Sequence, residues 1–480
     1  MAFWAASQIR AAVIVTAFFG LCTSAEAASP EPKSAANTPT LAIEQVTVLP
    51  MAVAGAVVRN ATVIIDDGRI AAVGPSEEVP VPADARRVNG EGKWLMPALA
   101  DMHVHLANDR MVRLFAGRPD LPAGMVDPAD LLTPYVANGV LQVMDMAAMS
   151  EAVGMRADVE AGRLRGPHIA LAAMVDGSPP SWPIGMSRVA ATPADGRQVV
   201  RDIKAEGYDF VKVYSNLGLE AFSAIVDEAG EQDLKVLGHI PGMGKIPIEA
   251  IFQPGYDMVA HAEEFAFQSE DLSDADITRF VELAQRSGAW LTSTLFLDEQ
   301  ILAQTRDPNM LTRVDGLAYV HTCELPMWFA HNRYTSHNNP ERIAELERLV
   351  AFNRRLVRAF ADAGIPIVAG TDTGIPGVVA GFALHEELKA LARAGLNNEQ
   401  ILASATRLPA QWLGVAEDRG TVAPGKRADL LLLEADPLAD IANTRKIAAV
   451  MIGGRYLQGA ELDAMLERLA KRYAGMRAVC

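Results

Sequence analysis

The sequence predicts an α/β protein: a (β/α)8 TIM barrel with a small composite β-sandwich domain formed by the N- and C-terminal segments. Three observations carry this. Eight short apolar stretches alternate with helix-like patterns through the middle of the chain. Runs rich in β-branched residues and turn signals flank that middle on both sides. The alternating segment, residues 98–415, exceeds the ~250 residues typical of one such barrel.

Taken in order, residues 1–27 read as a secretory signal peptide. Arg10 precedes the apolar run "AAVIVTAFFGLC", and "TSAEAAS" offers a small-residue cleavage site at Ala25-x-Ala27. The run is short against the ~20 residues of a membrane span, so no stable anchor is expected after cleavage. The expected location is periplasmic or secreted. Residues 28–40, rich in Pro, Ser and Ala, read as a flexible leader.

Residues 41–97 supply the first part of the β-sandwich domain. "LAIEQVTVL" and "ATVIIDDGRIAAVG" read as strands, with Asp67-Gly68 as a hairpin turn. The barrel strands are expected at 95–105, 139–146, 168–175, 209–214, 235–240, 257–261, 289–294 and 366–372. Between them, stretches such as "ADITRFVELAQRSG" repeat apolar residues at three and four, as helices do. The gap before the eighth strand is the longest. It reads as an insertion at about 295–360, either a lid over the site or a helical elaboration. Residues 416–460 return to the β texture and complete the sandwich, and 461–480 form a C-terminal helix or tail.

The formal net charge of −16 argues against nucleic acid as a partner, because phosphate binding needs basic patches. It leaves a small-molecule site and a homo-oligomer open. After signal removal two cysteines remain, Cys323 and Cys480, which can pair in an oxidising compartment but whose spacing does not fix a bond. No Cys-x-x-Cys occurs, which disfavours a thiolate zinc site.

The chemistry sits at strand ends. In "PALADMHVHL", His103 and His105 are two apart and share a face of a strand. His239 ends "KVLGHI", His261 ends "MVAHAEE" and Asp372 ends "IVAGTDTG". Imidazole and carboxylate are ligands a zinc-like cation accepts, and the C-terminal strand ends are where barrels of this class work. Each alone has a plainer reading: His261 as a helix cap, Asp372 as a turn brace. In "YDFVKVYSN", Val211 and Val213 suit packing against helices, which turns Lys212 inward. A buried unpaired ammonium is costly. Three outcomes stay open: a CO2-derived carbamate that bridges two metals, a salt bridge to Asp372, or snorkelling to the mouth.

These stretches, with "FVKVY", "GHIP", "AHAEEF", "AGTDTGIPG" and "GTVAPGKRADLLLLEADPL", resemble the amidohydrolase superfamily over about residues 41–457. The resemblance is closest to its imidazolonepropionase-like and prolidase-like branch. It implies two divalent metal ions, with zinc expected. His103, His105 and Asp372 would hold one, His239 and His261 the other, and carboxylated Lys212 would bridge them. The implied reaction is hydrolysis of an amide C–N bond by a metal-bridging hydroxide, with Asp372 as the proton shuttle. Dipeptides or N-acyl amino acids are the expected substrates. The same metals could instead open a lactone, a carbamate or a cyclic amide, and a barrel with an idle site would be a binding protein. Ala98 stands where the family usually has Gly, a departure that touches no ligand.

Further candidates surround this set. Tyr214 shares a face with Lys212 and could donate to the carbonyl oxygen or a carboxylate, or simply pack. His331, Arg333 and His337 on the insertion could grip a carboxylate or be solvated. His168 reads as a pocket or a core residue. Thr371 and Thr373 could orient Asp372, and Glu263 and Glu264 could hydrogen-bond ligands or start a helix.

Overall fold

The structure is a computed structural model, and it describes residues 39–182, 185–335 and 338–480. The signal-peptide and leader expectations fall almost wholly outside these residues. No helix among the described residues is long and apolar enough to cross a membrane.

The N-terminal strands are β1 (Leu41–Val48), β2 (Val58–Asp66), β3 (Arg69–Pro75), β4 (Arg86–Asn89) and β5 (Trp94–Pro97). The expected hairpin joins β2 to β3. Asp67 and Gly68 both take positive φ, 45° and 74°, as a two-residue turn matched to strand twist requires. A Cβ on Gly68 would also come within 2.9 Å of the Gly453 carbonyl oxygen. Nine strands of the second sheet follow: β6 (Leu99–Val104), β7 (Val140–Asp145), β8 (His168–Asp176), β9 (Arg188–Val189), β10 (Phe210–Val213), β11 (Lys235–Gly238), β12 (Tyr256–Ala260), β13 (Trp290–Thr292) and β14 (Ile367–Val368). β15 (Leu430–Leu433), β16 (Ile447–Ile452) and β17 (Arg455–Gln458) complete the set.

The terminal sheet runs β17-β16-β15-β5-β1-β2-β3, with β4 on β1. Antiparallel pairing of β5 with β15, Leu95 opposite Leu432, joins the two ends of the chain into one sheet. Its own core includes Ile43, Val63, Leu95, Leu430 and Met451.

The barrel sheet runs β14-β13-β12-β11-β10-β8-β7-β6, all parallel, with β9 as a short addition to β8. The ring is drawn together by backbone bonds from Met102 N to Ala369 O (2.9 Å) and from Asp372 N to His103 O (2.8 Å). Met102, Met144, Phe210, Leu237 and Met258 pack together in one buried cluster. Val143, Leu171, Val211, Val213 and Val259 belong to the larger core that packs the strands against the helices. Barrel strands covered on both faces have to be apolar throughout, which is why they read as apolar runs rather than alternating ones.

Two expectations need refining. The strand at 95–105 is two strands: the chain leaves the terminal sheet at Ala98, whose N–H donates to Asp429 O, and enters the barrel at Leu99. The eighth strand is only Ile367–Val368. Beyond it the backbone turns irregular, and Asp372 adopts φ +57°.

Between β13 and β14 lie the helix Leu295–Arg306, a run of 3₁₀ turns, and the 23-residue helix Pro340–Asp362. Pro340 at the first helical turn and the Asn339 side chain, accepting from Arg342 N, start that helix. A disulfide joins Cys323, in the middle of this stretch, to Cys480, with Cα atoms 4.8 Å apart. It ties down the end that follows the helix Gly459–Met476.

Candidate active site

His103 is placed by a break in the β6 register between Asp101 and Val104. Such bulges occur at barrel rims and re-aim side chains. Gly370 leaves the room: a Cβ there would lie 2.8 Å from His103 Cβ. His105 follows the end of the strand. Its Nε2 and that of His103 both reach Asp372 Oδ1, at 2.8 and 3.3 Å. The sharing of a face expected from the two-residue spacing thus becomes a shared target.

The other groups close around this trio. His261 stacks on His103 with ring centroids 4.5 Å apart, and its Nε2 lies 4.0 Å from Asp372 Oδ2. His239 meets His261 edge-on at 5.2 Å and Tyr214 at 4.0 Å. Lys212 is 2% exposed and holds its Nζ 3.2 Å from His103 Nε2. It forms no ion pair among the described residues. Of the three outcomes left open by the sequence, a salt bridge to Asp372 is therefore not made, and the ammonium does not snorkel out.

Partners behind the imidazoles set their tautomers. His239 Nδ1 lies 2.7 Å from Glu264 Oε1 and 3.0 Å from Ser215 Oγ. His261 Nδ1 lies 2.9 Å from Thr294 Oγ1. A ring that gives its Nδ1 hydrogen to such a partner keeps an unshared pair on Nε2, the form that binds metal. Burial holds His103 and His239 well below the usual imidazole range, with Lys212 adding to it, and pushes His261 down to about 3. Burial works against ionisation of Asp372, but the neighbouring His103 and His105 outweigh it and keep the carboxyl well below its ordinary value. Burial lowers Lys212 to about 8.

The donor set fits a divalent cation. One ligand atom from each of His103, His105 and Asp372 lies within 4.8 Å of the others. Three residues of this kind, with further positions open, are the pattern of a catalytic rather than a structural metal site. The buried Nδ1 atoms of His103 and His105 have no hydrogen-bond partner. Such groups are rare in proteins and mark places where another group completes the site.

His105, Lys212, His239, His261 and Asp372 floor a cavity of about 650 Å³, which Tyr214, His331 and Arg333 also line. The Tyr214 hydroxyl accepts from Trp182 Nε1 at 3.0 Å, and burial raises its pKa, so it stays protonated. Arg333 Nη2 donates to the Tyr334 hydroxyl at 2.7 Å. His337 lies outside the described residues.

Three secondary assignments change. His168 is the first residue of β8 and so sits at the end of its strand away from the cluster, where Nε2 meets Asp429 Oδ2 at 2.9 Å. It is a clasp to the residue before β15 and does not line the cavity at the cluster. Thr371 donates to Asp101 Oδ2 at 2.6 Å, and Thr373 Oγ1 accepts from His105 N at 3.3 Å and meets the Tyr135 hydroxyl at 3.1 Å. They fix the backbone of β6 and its neighbour rather than the Asp372 carboxylate. Glu264 takes both readings: it lies in the first turn of the helix Glu263–Ala266 and holds His239. Sequence reasoning missed Ser215, Thr294 and Trp182. The first two stand just past strand ends, which is the signal that marks them.

A parallel eight-stranded barrel with imidazoles and a carboxylate gathered at the C-terminal strand ends defines a class, the (β/α)8 enzymes that work at that rim. Residues 94–457 match the model of the amidohydrolase family, and the chain belongs to that family. Among curated relatives it is 37% identical over 110 residues to the imidazolonepropionase of Salinispora arenicola (strain CNS-205), covering 22% of this chain and 24% of that one. The chain matches about a quarter or less of the length of the curated relatives. Two solved structures share the fold over nearly all of both chains. A bottromycin amidohydrolase has a TM-score of 0.68 at 22% identity, covering 90% of each chain. A prolidase complexed with N-methylphosphonate-L-proline has a TM-score of 0.64 at 20% identity, covering 87% of this chain and 99% of that one.

Proposed function

We propose that the chain is a binuclear metal-dependent hydrolase of amide C–N bonds, acting on dipeptides or N-acyl amino acids. One observation carries this: His103, His105, Lys212, His239, His261 and Asp372, drawn from five barrel strands or their ends, meet in one buried cluster. The first two imidazoles and Asp372 would hold one divalent cation, with zinc the proposed metal, and His239 and His261 the second. Lys212, as a carbamate, would bridge them. Its burial without an ion pair supports that reading, as does a pKa of about 8, which leaves some free amine at neutral pH to react with CO2.

Bound cations of this kind supply a water of low pKa and an electrophile for the scissile carbonyl. The chain's own residues do the rest. The Asp372 carboxylate accepts the proton of the attacking water and delivers it to the leaving amine nitrogen. Tyr214, whose hydroxyl already accepts from Trp182, keeps its own hydrogen to donate to the carbonyl oxygen or to a substrate carboxylate. His331 and Arg333 border the same cavity and are suited to a carboxylate, and His337 belongs with them on sequence grounds. The prolidase with a bound proline analogue, similar in fold, is compatible with such a substrate.

We also propose export through the N-terminal signal. A disulfide between Cys323 and Cys480 suits an oxidising compartment.

Metal analysis of the purified protein and a library of dipeptides and N-acyl amino acids, assayed with zinc, manganese and cobalt, test the proposal. The expected result is about two equivalents of metal and turnover of amides. Turnover of lactones, carbamates or cyclic amides alone would move the reaction to another bond. No metal and no turnover would leave a binding barrel. Export is checked by N-terminal sequencing of the protein recovered from the periplasm or medium, and a first residue before Ala28 would refute cleavage at Ala27.

A further inference from the structure

The cavity above the cluster is divided by chemistry. Its floor is polar. One wall is not: Met111, Met174 and Met186, with Phe115 and Trp182 packed on them, form a single apolar cluster that borders the same cavity. Met111 comes from the helix Asp109–Ala116 after β6, Met174 from β8, and Met186 from the loop after β8. Separate segments have therefore been brought together to build this surface. Tyr214 belongs to the same cluster and also lies 4.0 Å from the His239 ring, so the wall runs without a break into the floor. At the mouth, Leu114 and Phe267 border the cavity while 45% and 58% exposed.

The size fits more than a minimal dipeptide. About 650 Å³ falls within the roughly 300–1,000 Å³ of pockets that enclose drug-sized molecules. Methionines are unbranched and polarisable, so they fit themselves to apolar groups of varied shape. The groups suited to a carboxylate, His331 and Arg333, stand on the insertion and not on this wall. A substrate whose amino-acid carboxylate faces the insertion presents its acyl side to the methionines.

We propose that the acyl side of the substrate is a bulky apolar group, a medium-length alkyl chain or an aromatic ring, seated against Met111, Met174 and Met186. This rests on the amide-hydrolase reading, and it narrows the substrate to N-acyl amino acids or dipeptides of that class. A small acyl group would leave the wall in contact with water. Each methylene that covers it adds about fourfold to binding, from ~0.8 kcal/mol per buried CH2.

The test uses the metal-loaded protein and one amino acid carrying acetyl, butanoyl, octanoyl or benzoyl groups. Expected is a rise in kcat/KM of at least a hundredfold from acetyl to octanoyl, with benzoyl also well above acetyl. Met111→Gln and Met174→Gln should each shrink the octanoyl-to-acetyl ratio by more than tenfold. Calorimetric binding of the octanoyl and acetyl compounds provides a readout that needs no turnover. Tighter octanoyl binding without hydrolysis supports the apolar subsite and refutes the amide-bond reading. Hydrolysis with equal rates for acetyl and octanoyl overturns the subsite and leaves the amidase reading standing. No difference in binding between the octanoyl and acetyl compounds also overturns it.

Discussion

Lys212 Nζ stands 3.2 Å from His103 Nε2, buried in the cluster, and forms no ion pair with a carboxylate among the described residues. An ammonium there would be expensive, and a carbamate would turn it into an anion. Lys212→Ala is expected to lose more activity than the ~10–100-fold typical of outer partners of a metal site. Short carboxylic acids added to the assay should restore part of it. Full activity with unchanged metal content would refute the bridging role.

Asp372→Asn keeps the size of the side chain and removes the proton acceptor. The expected loss in kcat is roughly 10²–10⁴-fold, the usual contribution of a positioned acid–base group. Steady-state kinetics on any amide that the wild type hydrolyses reads it, and a variant within threefold of wild type would exclude Asp372 as the shuttle.

Glu264→Gln tests the support behind His239, whose Nδ1 it holds at 2.7 Å. Loss of that partner should weaken metal affinity by about 10–100-fold. Competition with a chelator gives the number directly. Unaltered affinity would make the contact merely structural.

His385 offers a stability test away from the cluster. It is buried, with Nδ1 on Thr444 Oγ1 and Nε2 on the Asn138 carbonyl, and burial pushes its pKa down to about 3. The folded chain therefore refuses a proton that the unfolded chain takes up below its value of about 6.5. Stability held above pH 6.5 is lost as pH falls towards 3, at up to ~1.4 kcal/mol per unit. Between pH 7 and 5.5 this one group should account for about 1.3 kcal/mol. Urea unfolding of wild type and His385→Gln at both pH values should show the variant losing less by that amount. Parallel losses would contradict it.

The Cys323–Cys480 bond spans 157 residues of sequence. Closing so long a loop typically stabilises by about 2–5 kcal/mol. Cys323→Ser, or reduction of the wild type, should lower the melting temperature by several degrees. No change would show that the end of the chain adds nothing to the fold.

Much of this architecture was legible because barrel strands leave a simple trace. Runs such as 139–146 and 168–175 fall within one or two residues of β7 and β8. The ligand candidates were legible for the same reason: His239, His261 and Asp372 each come after an apolar run, at the end where a barrel gathers its side chains. His168 shows the limit of that signal, since it opens its strand and so points to the opposite rim. What stayed hidden depends on contacts distant in sequence. Glu264 finds His239 only after two strands pair, and Trp182 finds Tyr214 across a loop. The break at Ala98 is invisible locally, because both sides of it are apolar and extended.

The pairing of β5 with β15 has a consequence for biosynthesis. Leu95 cannot meet Leu432 until the ribosome has made more than three hundred further residues. During all that time the edge of β5 waits exposed, one residue from the strand that carries His103. A chain built this way reaches its finished state only late in translation, when the last strands seal the first ones.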